Sequence, residues 1–228
     1  MTRHHSRPRL LGVLLALGLV VVATALVWGR AGADANPCAR RADRAEQRSR
    51  LVTGSGPEVL VIGDSYSVGA GVALRDSWPV RLPGRVRVDG FSGSGFSVGA
   101  SPCGDVSYGT RAPAALRPAT DLVVVEGGLN DTDRPAAELE EGVERLLRRL
   151  DGRRVLVVGP PVTPDRPRSH AERVDATLAR IAREHQASYL SMLGTELTFL
   201  DDDLHPDPAG HRTFGDVVAA RVREMLAT

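Results

Sequence analysis

Four short pieces of this sequence, far apart along the chain, carry residue types that together could perform acyl transfer. Gly63-Asp64-Ser65 ends an apolar run and offers a hydroxyl nucleophile. Ser94-Gly95 lies in a glycine-rich turn and offers a backbone N–H. Gly128-Leu129-Asn130-Asp131 presents a side-chain amide, and Asp202-Asp203-Leu204-His205 presents an imidazole with a carboxylate three residues before it. A nucleophile, donors for a developing oxyanion, a base and an orienter for the base are the parts of a serine site that cleaves esters.

Each piece has a competing reading. Gly63 permits a tight bend, and Ser65 would open a helix whose first N–H groups can hold an oxyanion. An Asp-Ser pair is equally a helix cap. His205 stands close enough to Asp202 for one turn to orient both, the carboxylate fixing the imidazole tautomer. His211 competes as base, but it opens a helix three residues after Pro208 and reads as structural or as part of a substrate rim. His170 and His185 flank a surface helix. Asn130 can donate to an oxyanion or serve as a turn residue, with Asp131 bracing its loop. Gly95 offers an N–H where no side chain intrudes, and Gly93 could take that role. Gly95-Phe96-Ser97-Val98-Gly99 matches the G-x-S-x-G elbow. It lacks the strong strand that should lead into it, and Ser97 as nucleophile leaves Asp64-Ser65 and Asn130 without a role. A single histidine beside Asp201-Asp202-Asp203, with no second His or Cys pair, makes a poor metal site, and no cofactor is needed.

These residues need elements to hold them. Val59–Ile62, Leu122–Val125 and Val155–Val158 are short continuous apolar runs, the pattern of strands buried on both faces. Val86–Val88 and Ser188–Met192 are weaker strands. Helical periodicity runs over Pro135–Leu150, His170–His185 and Gly210–Ala227. Strands alternating with helices imply an α/β fold with a parallel sheet of about five strands covered on both faces. Ligands bind such sheets at the carboxyl ends of the strands. Ser65, Gly95 and Asn130 each follow a strand there. Residues 101–120, rich in Pro, Ala and Gly, read as a long irregular loop over the site.

The blocks Gly63-Asp64-Ser65, Gly95, Gly128-Leu129-Asn130-Asp131 and Asp202-Asp203-Leu204-His205-Pro206 resemble the four blocks of the SGNH (GDSL-like) hydrolases. The resemblance spans about residues 58–228 and implies a three-layer α/β/α, flavodoxin-like fold that hydrolyses esters. It assigns Ser65 as nucleophile and first oxyanion donor, Gly95 and Asn130 as further donors, His205 as base and Asp202 as its orienter. The second block departs from the usual Asn-x-Gly-x-Ser-Gly, reading Gly90-Phe91-Ser92-Gly93-Ser94-Gly95.

The chain has 228 residues and a net charge of +1. All 29 basic residues are arginine, which excludes a Schiff-base lysine, a Ser-Lys dyad and a P-loop lysine. No clustered basic face suggests a nucleic-acid partner. Residues 1–35 read as a signal peptide or an N-terminal membrane anchor: a basic Met1–Arg9, then nineteen uncharged residues from Leu10 to Trp28, then A-x-A sequences. Either way the remainder faces outside, with membrane association through residues 10–28 if the anchor persists. Residues 36–57 form a polar linker with a short helix over Ala39–Leu51, and the hydrolase domain occupies 58–228. In an exported chain the two cysteines, Cys38 and Cys103, favour a disulfide.

The expected reaction is attack by Ser65 on an ester carbonyl, with His205 taking its proton and water resolving the acyl-enzyme. Protonation of the base predicts falling activity below about pH 6, near the free imidazole value. The scarcity of aromatic residues argues against a broad sugar platform and favours a lipid or short-acyl ester, with an acetylated sugar still open. An O-acyltransferase of the cell envelope using the same residues, and a non-catalytic binding domain, are the alternatives.

Overall fold

The computed structural model describes residues 36–228, so the expected targeting segment 1–35 lies outside the described residues. Residues Arg41–Thr228 form one compact unit. Its centre is a five-stranded sheet of β1 (Glu58–Gly63), β2 (Arg85–Gly90), β3 (Thr120–Glu126), β4 (Val155–Val158) and β5 (Ser188–Leu190). The spatial order is β2-β1-β3-β4-β5, and every pairing is parallel. The helices are α1 (Pro37–Arg50), α2 (Ser65–Val68), α3 (Tyr108–Ala115), α4 (Ala136–Arg149), α5 (Arg168–Glu184) and α6 (Pro208–Leu226). Among the described residues, no helix is long and apolar enough to cross a membrane.

Alternation along the strands divides the core into two layers. Leu60, Ile62, Val123 and Val125 point to one face, where they pack with Tyr108, Leu146 and Leu178 from α3, α4 and α5. Val59, Val61, Leu122 and Val124 point to the other, against Trp78 and the α6 residues Phe214 and Val218. A strand covered on both sides must be apolar at every position, which is why β1 and β3 read as unbroken runs.

The strand order reverses between β1 and β3, because the chain leaves β1 for β2 on one side and returns across it to β3. A crevice opens at such a switch point, at the carboxyl ends of the strands. Ser65 follows β1 and Asn130 follows β3, so the two flank it.

The expectation of an irregular stretch over 101–120 fails in its second half, which holds α3 with Pro113 inside it. Helix propensity there is poor, but packing overrides it. Tyr108 and Ala112 are fully buried, and the Tyr108 ring meets Phe96 edge-on at 4.8 Å. From the same helix Arg111 reaches over the ends of two strands. It donates to the carbonyl of Gly63 (2.9 Å), to Ser94 Oγ (3.2 Å), to the carbonyl of Asp89 (2.9 Å) and to the Asp89 carboxylate. One guanidinium thus clamps the exit of β1, the exit of β2 and the glycine-rich turn. Arg111→Met removes the cation facing the half-buried Asp89 carboxylate and a donor from Gly63, Ser94, the Asp89 carbonyl and the Val106 carbonyl. It is expected to cost about 3 kcal/mol, a fall in Tm of roughly 6–12 °C on thermal unfolding. A fall below about 2 °C would show that the clamp is dispensable.

Candidate active site

Ser65 is the first residue of α2, directly after the sharp exit of β1. Gly63 allows that exit: a Cβ there would lie 2.1 Å from Ser67 Oγ and 2.8 Å from Glu126 Oε2. Asp64 caps the helix, its Oδ1 accepting the Tyr66 N–H at 3.0 Å. As the first helical residue, Ser65 has an N–H with no partner inside the helix. The Ser65 carbonyl accepts from the N–H of Gly69 and Ala70, which closes the short helix at a left-handed Gly69.

His205 stands in the loop before α6. Its Nδ1 is 2.6 Å from Asp202 Oδ2, while Asp202 Oδ1 accepts the backbone N–H groups of Leu204 (3.0 Å) and His205 (2.8 Å). Both carboxylate oxygens are therefore occupied in aligning the imidazole. Slight burial works upward on the Asp202 carboxyl, but the bonds from the His205 ring and from the two N–H groups hold it down at about 2. It is an anion at neutral and mildly acidic pH.

The loop reaches the Ser65 turn through Tyr66, whose hydroxyl donates to the Leu204 carbonyl at 2.6 Å. The Tyr66 ring is centred 6.2 Å from that of His205. The residue that follows Ser65 thus neighbours His205.

Asn130 lies in a 3₁₀ turn that opens at Gly128, with φ 117°. A Cβ on Gly128 would also meet Val174 at 2.8 Å, so the turn accepts only glycine there. The Asn130 amide donates to the Ser94 carbonyl (2.9 Å) and to Asp64 Oδ2 (3.2 Å). Asp131, buried beneath, accepts the N–H groups of Phe96 (3.0 Å) and Ser97 (2.8 Å). Gly95 lies where a Cβ would sit 2.5 Å from Asp131 Oδ2, so close approach, not a positive φ, demands the glycine. Asp131 therefore braces the Gly95 turn, and Asn130 joins that turn to the Ser65 turn.

Ser97 is 1% exposed with its N–H committed to Asp131, and the structure pairs no histidine with it. His211 is equally enclosed. Its Nδ1 accepts the Trp78 N–H at 3.3 Å, so it serves the core. Burial, with the His205 charge beside it, pushes the His211 imidazole down to about 4. The unfolded imidazole takes up a proton near 6.5, well before the folded one does. The neutral ring's contribution is thus intact above about pH 6.5 and is lost as pH falls toward 4, up to about 3 kcal/mol. The Tm gap between wild type and His211→Gln is expected to shrink from pH 7 to pH 4.5 in thermal unfolding. A constant gap would contradict this.

Several residues of the site carried no sequence signal of their own. Tyr108 Oη lies 3.3 Å from Asp64 Oδ2. Arg166 donates to the Leu129 carbonyl and to Thr132 Oγ1 (2.7 Å), and the neighbouring Asp165 N–H reaches the Asp203 carbonyl (3.2 Å). This strap joins the Asn130 turn to the His205 loop. Glu126, a lone charge at the end of an apolar strand, is the one such residue that a closer look at the pattern would flag. Outside this centre, Cys38 and Cys103 are both disulfide-bonded.

Residues 61–213, which include every block described except the start of β1, match the sequence profile of the GDSL-like lipase/acylhydrolase family. The chain belongs to this family. Among the relatives of this GDSL-like chain is the esterase TesA of Pseudomonas aeruginosa, 28% identical over 162 residues, or 65% of this chain and 79% of that one. An arylesterase of Vibrio mimicus is 27% identical over 182 residues, or 74% and 90%. A carbohydrate acetylesterase family member from Sinorhizobium meliloti shares the fold with a TM-score of 0.63 at 24% identity, over 76% of this chain and 100% of that one. The GDSL-like chain is thus a serine ester hydrolase by family, on the parallel α/β/α architecture that its sequence implies.

Proposed function

We propose that the chain is an exported esterase for lipid or short-acyl carboxylic esters, working through Ser65, His205 and Asp202. The observation that carries this reading is the meeting of two turns: Tyr66, directly after Ser65, bonds the Leu204 carbonyl and lies beside an imidazole already aligned by Asp202. His205 takes the Ser65 proton through Nε2, because Nδ1 is held by Asp202. The tetrahedral oxyanion rests on the N–H groups of Ser65 and Gly95 and on the Asn130 amide. Both amide hydrogens of Asn130 are engaged in the resting site, and the longer bond, to Asp64, is the one released to the oxyanion. Collapse expels the alcohol, protonated by His205, and water activated by the same imidazole frees Ser65.

An open groove of about 640 Å³ is lined by Val162, Pro164, Leu193, Leu197 and Phe199 together with Thr163, Thr195, Arg168 and Glu196. It adjoins the His205 loop, since Phe199 bridges to Pro206. Its apolar wall supports an acyl-chain reading of the substrate. Export is supported by the disulfide-bonded cysteines, which persist in oxidising compartments, and by the basic and apolar character of residues 1–35.

Two measurements test the reading. The purified chain should hydrolyse p-nitrophenyl acetate and butyrate, with palmitate reporting how much chain the cavity accepts. A fluorophosphonate should inactivate it and add to the peptide carrying Ser65, read by mass spectrometry. A label on any other serine would displace Ser65 as nucleophile.

A further inference from the structure

Glu126 closes β3 four residues before Asn130 and has no part in the reaction above. Its side chain is 2% exposed. Ser67 donates its hydroxyl to Oε2 at 2.6 Å. The same oxygen lies 2.8 Å from where a Cβ on Gly63 would stand, so only glycine leaves room for it. Gly63 and Ser67 straddle Ser65 in sequence.

We propose that Glu126 is a positioning residue for the nucleophile turn: its carboxyl packs on Gly63 and holds Ser67, and so fixes the direction of the Ser65 N–H between them. This rests on the reading of Ser65 as nucleophile and oxyanion donor.

The groups facing Glu126 decide its charge. Asp64 comes from the end of β1, Tyr66 from α2 and Tyr108 from α3, and none is a cation. Asp131 and Arg111 act one step further out, Asp131 on Asp64 and both on Tyr108. Two carboxylates enclosed side by side cannot both ionise. Asp64 receives Tyr66 N–H, Asn130 and Tyr108 as donors and is the better placed to hold the charge. Burial, then the Asp64 charge, raises the Glu126 carboxyl well above its ordinary range. Glu126 is accordingly a neutral acid at working pH. Its ionisation in alkali sets a second negative charge behind the oxyanion site and lowers turnover.

The test measures kcat and KM on p-nitrophenyl butyrate from pH 6 to 10 for the wild type, Ser65→Ala, Glu126→Ala and Glu126→Gln. Glu126→Ala should lower kcat by about 10²-fold, the scale of losing one oxyanion donor, with KM within about threefold. Glu126→Gln keeps a neutral group of the same shape. It should return kcat to within about fivefold at pH 7 and abolish the wild-type decline in alkali. A kcat for Glu126→Ala within twofold of wild type overturns the proposal. So does a Glu126→Gln variant that declines in alkali like the wild type, a comparison that stands even if the alanine variant fails to fold. Turnover surviving in Ser65→Ala overturns the underlying reading as well. An inert Ser65→Ala beside a fully active Glu126→Ala overturns the positioning role alone.

Discussion

Ser65→Ala is expected to lower kcat on p-nitrophenyl butyrate by about 10⁴-fold or more, leaving only what the oxyanion donors and substrate binding supply. The loss is large because the covalent step disappears, while the turn that carries Ser65 survives. Asp64 still caps α2 through the Tyr66 N–H, and Gly69 still closes it. Thermal unfolding should therefore match the wild type within a few degrees. Ser97→Ala is the internal contrast. Ser97 is buried and braces Asp131 through its backbone N–H, which the alanine variant keeps. That variant should keep kcat within about threefold. The reverse pattern, with Ser97 essential and Ser65 dispensable, would move the nucleophile to the G-x-S-x-G turn.

His205→Ala is expected to cost nearly as much, about 10⁴-fold, because an unactivated serine hydroxyl is a poor nucleophile at neutral pH. Residues that act as one unit are not additive, so the double variant Ser65→Ala with His205→Ala should be no slower than the worse single one. Additive losses would mean that the two residues serve separate steps. Asp202→Asn should be milder, roughly 10- to 100-fold in kcat. Asparagine can still accept the N–H groups of Leu204 and His205 through its oxygen, and the native carboxylate is half-exposed at 48%. Water screens a charge at that exposure, which limits what it lends to the imidazolium.

Much of this site was legible because it is built from backbone exits. A parallel sheet brings the residues after β1, β2 and β3 to one edge whatever their sequence separation. Ser65, Gly95 and Asn130 could therefore be grouped from three apolar runs and the polar residues that end them. Asp202 and His205 were legible for another reason, since three residues of separation is a local relation. What escaped was whatever depends on long side chains crossing between elements. Arg111 projects from a helix that its proline and glycine disguised, and it acts on carbonyls, which have no sequence signature. The Arg166 strap likewise grips the Leu129 carbonyl and a threonine hydroxyl. Asp131 was expected to brace its own loop. It also braces the Gly95 turn, thirty-odd residues away, a contact that only the tertiary fold creates.

The order of the strands has a consequence for synthesis. Glu58 at the start of β1 pairs with Arg85 on one side and Thr120 on the other, so the strand that leads into Ser65 leaves the ribosome long before its second neighbour exists. Distant pairings of this kind close slowly, and meanwhile Val59, Leu60, Val61 and Ile62 present an apolar edge to whatever else is unfolded nearby. His205 is made later still, on the loop before α6. A growing chain therefore carries Ser65 long before it has His205, and the blocks of the candidate site meet only after the sheet has closed.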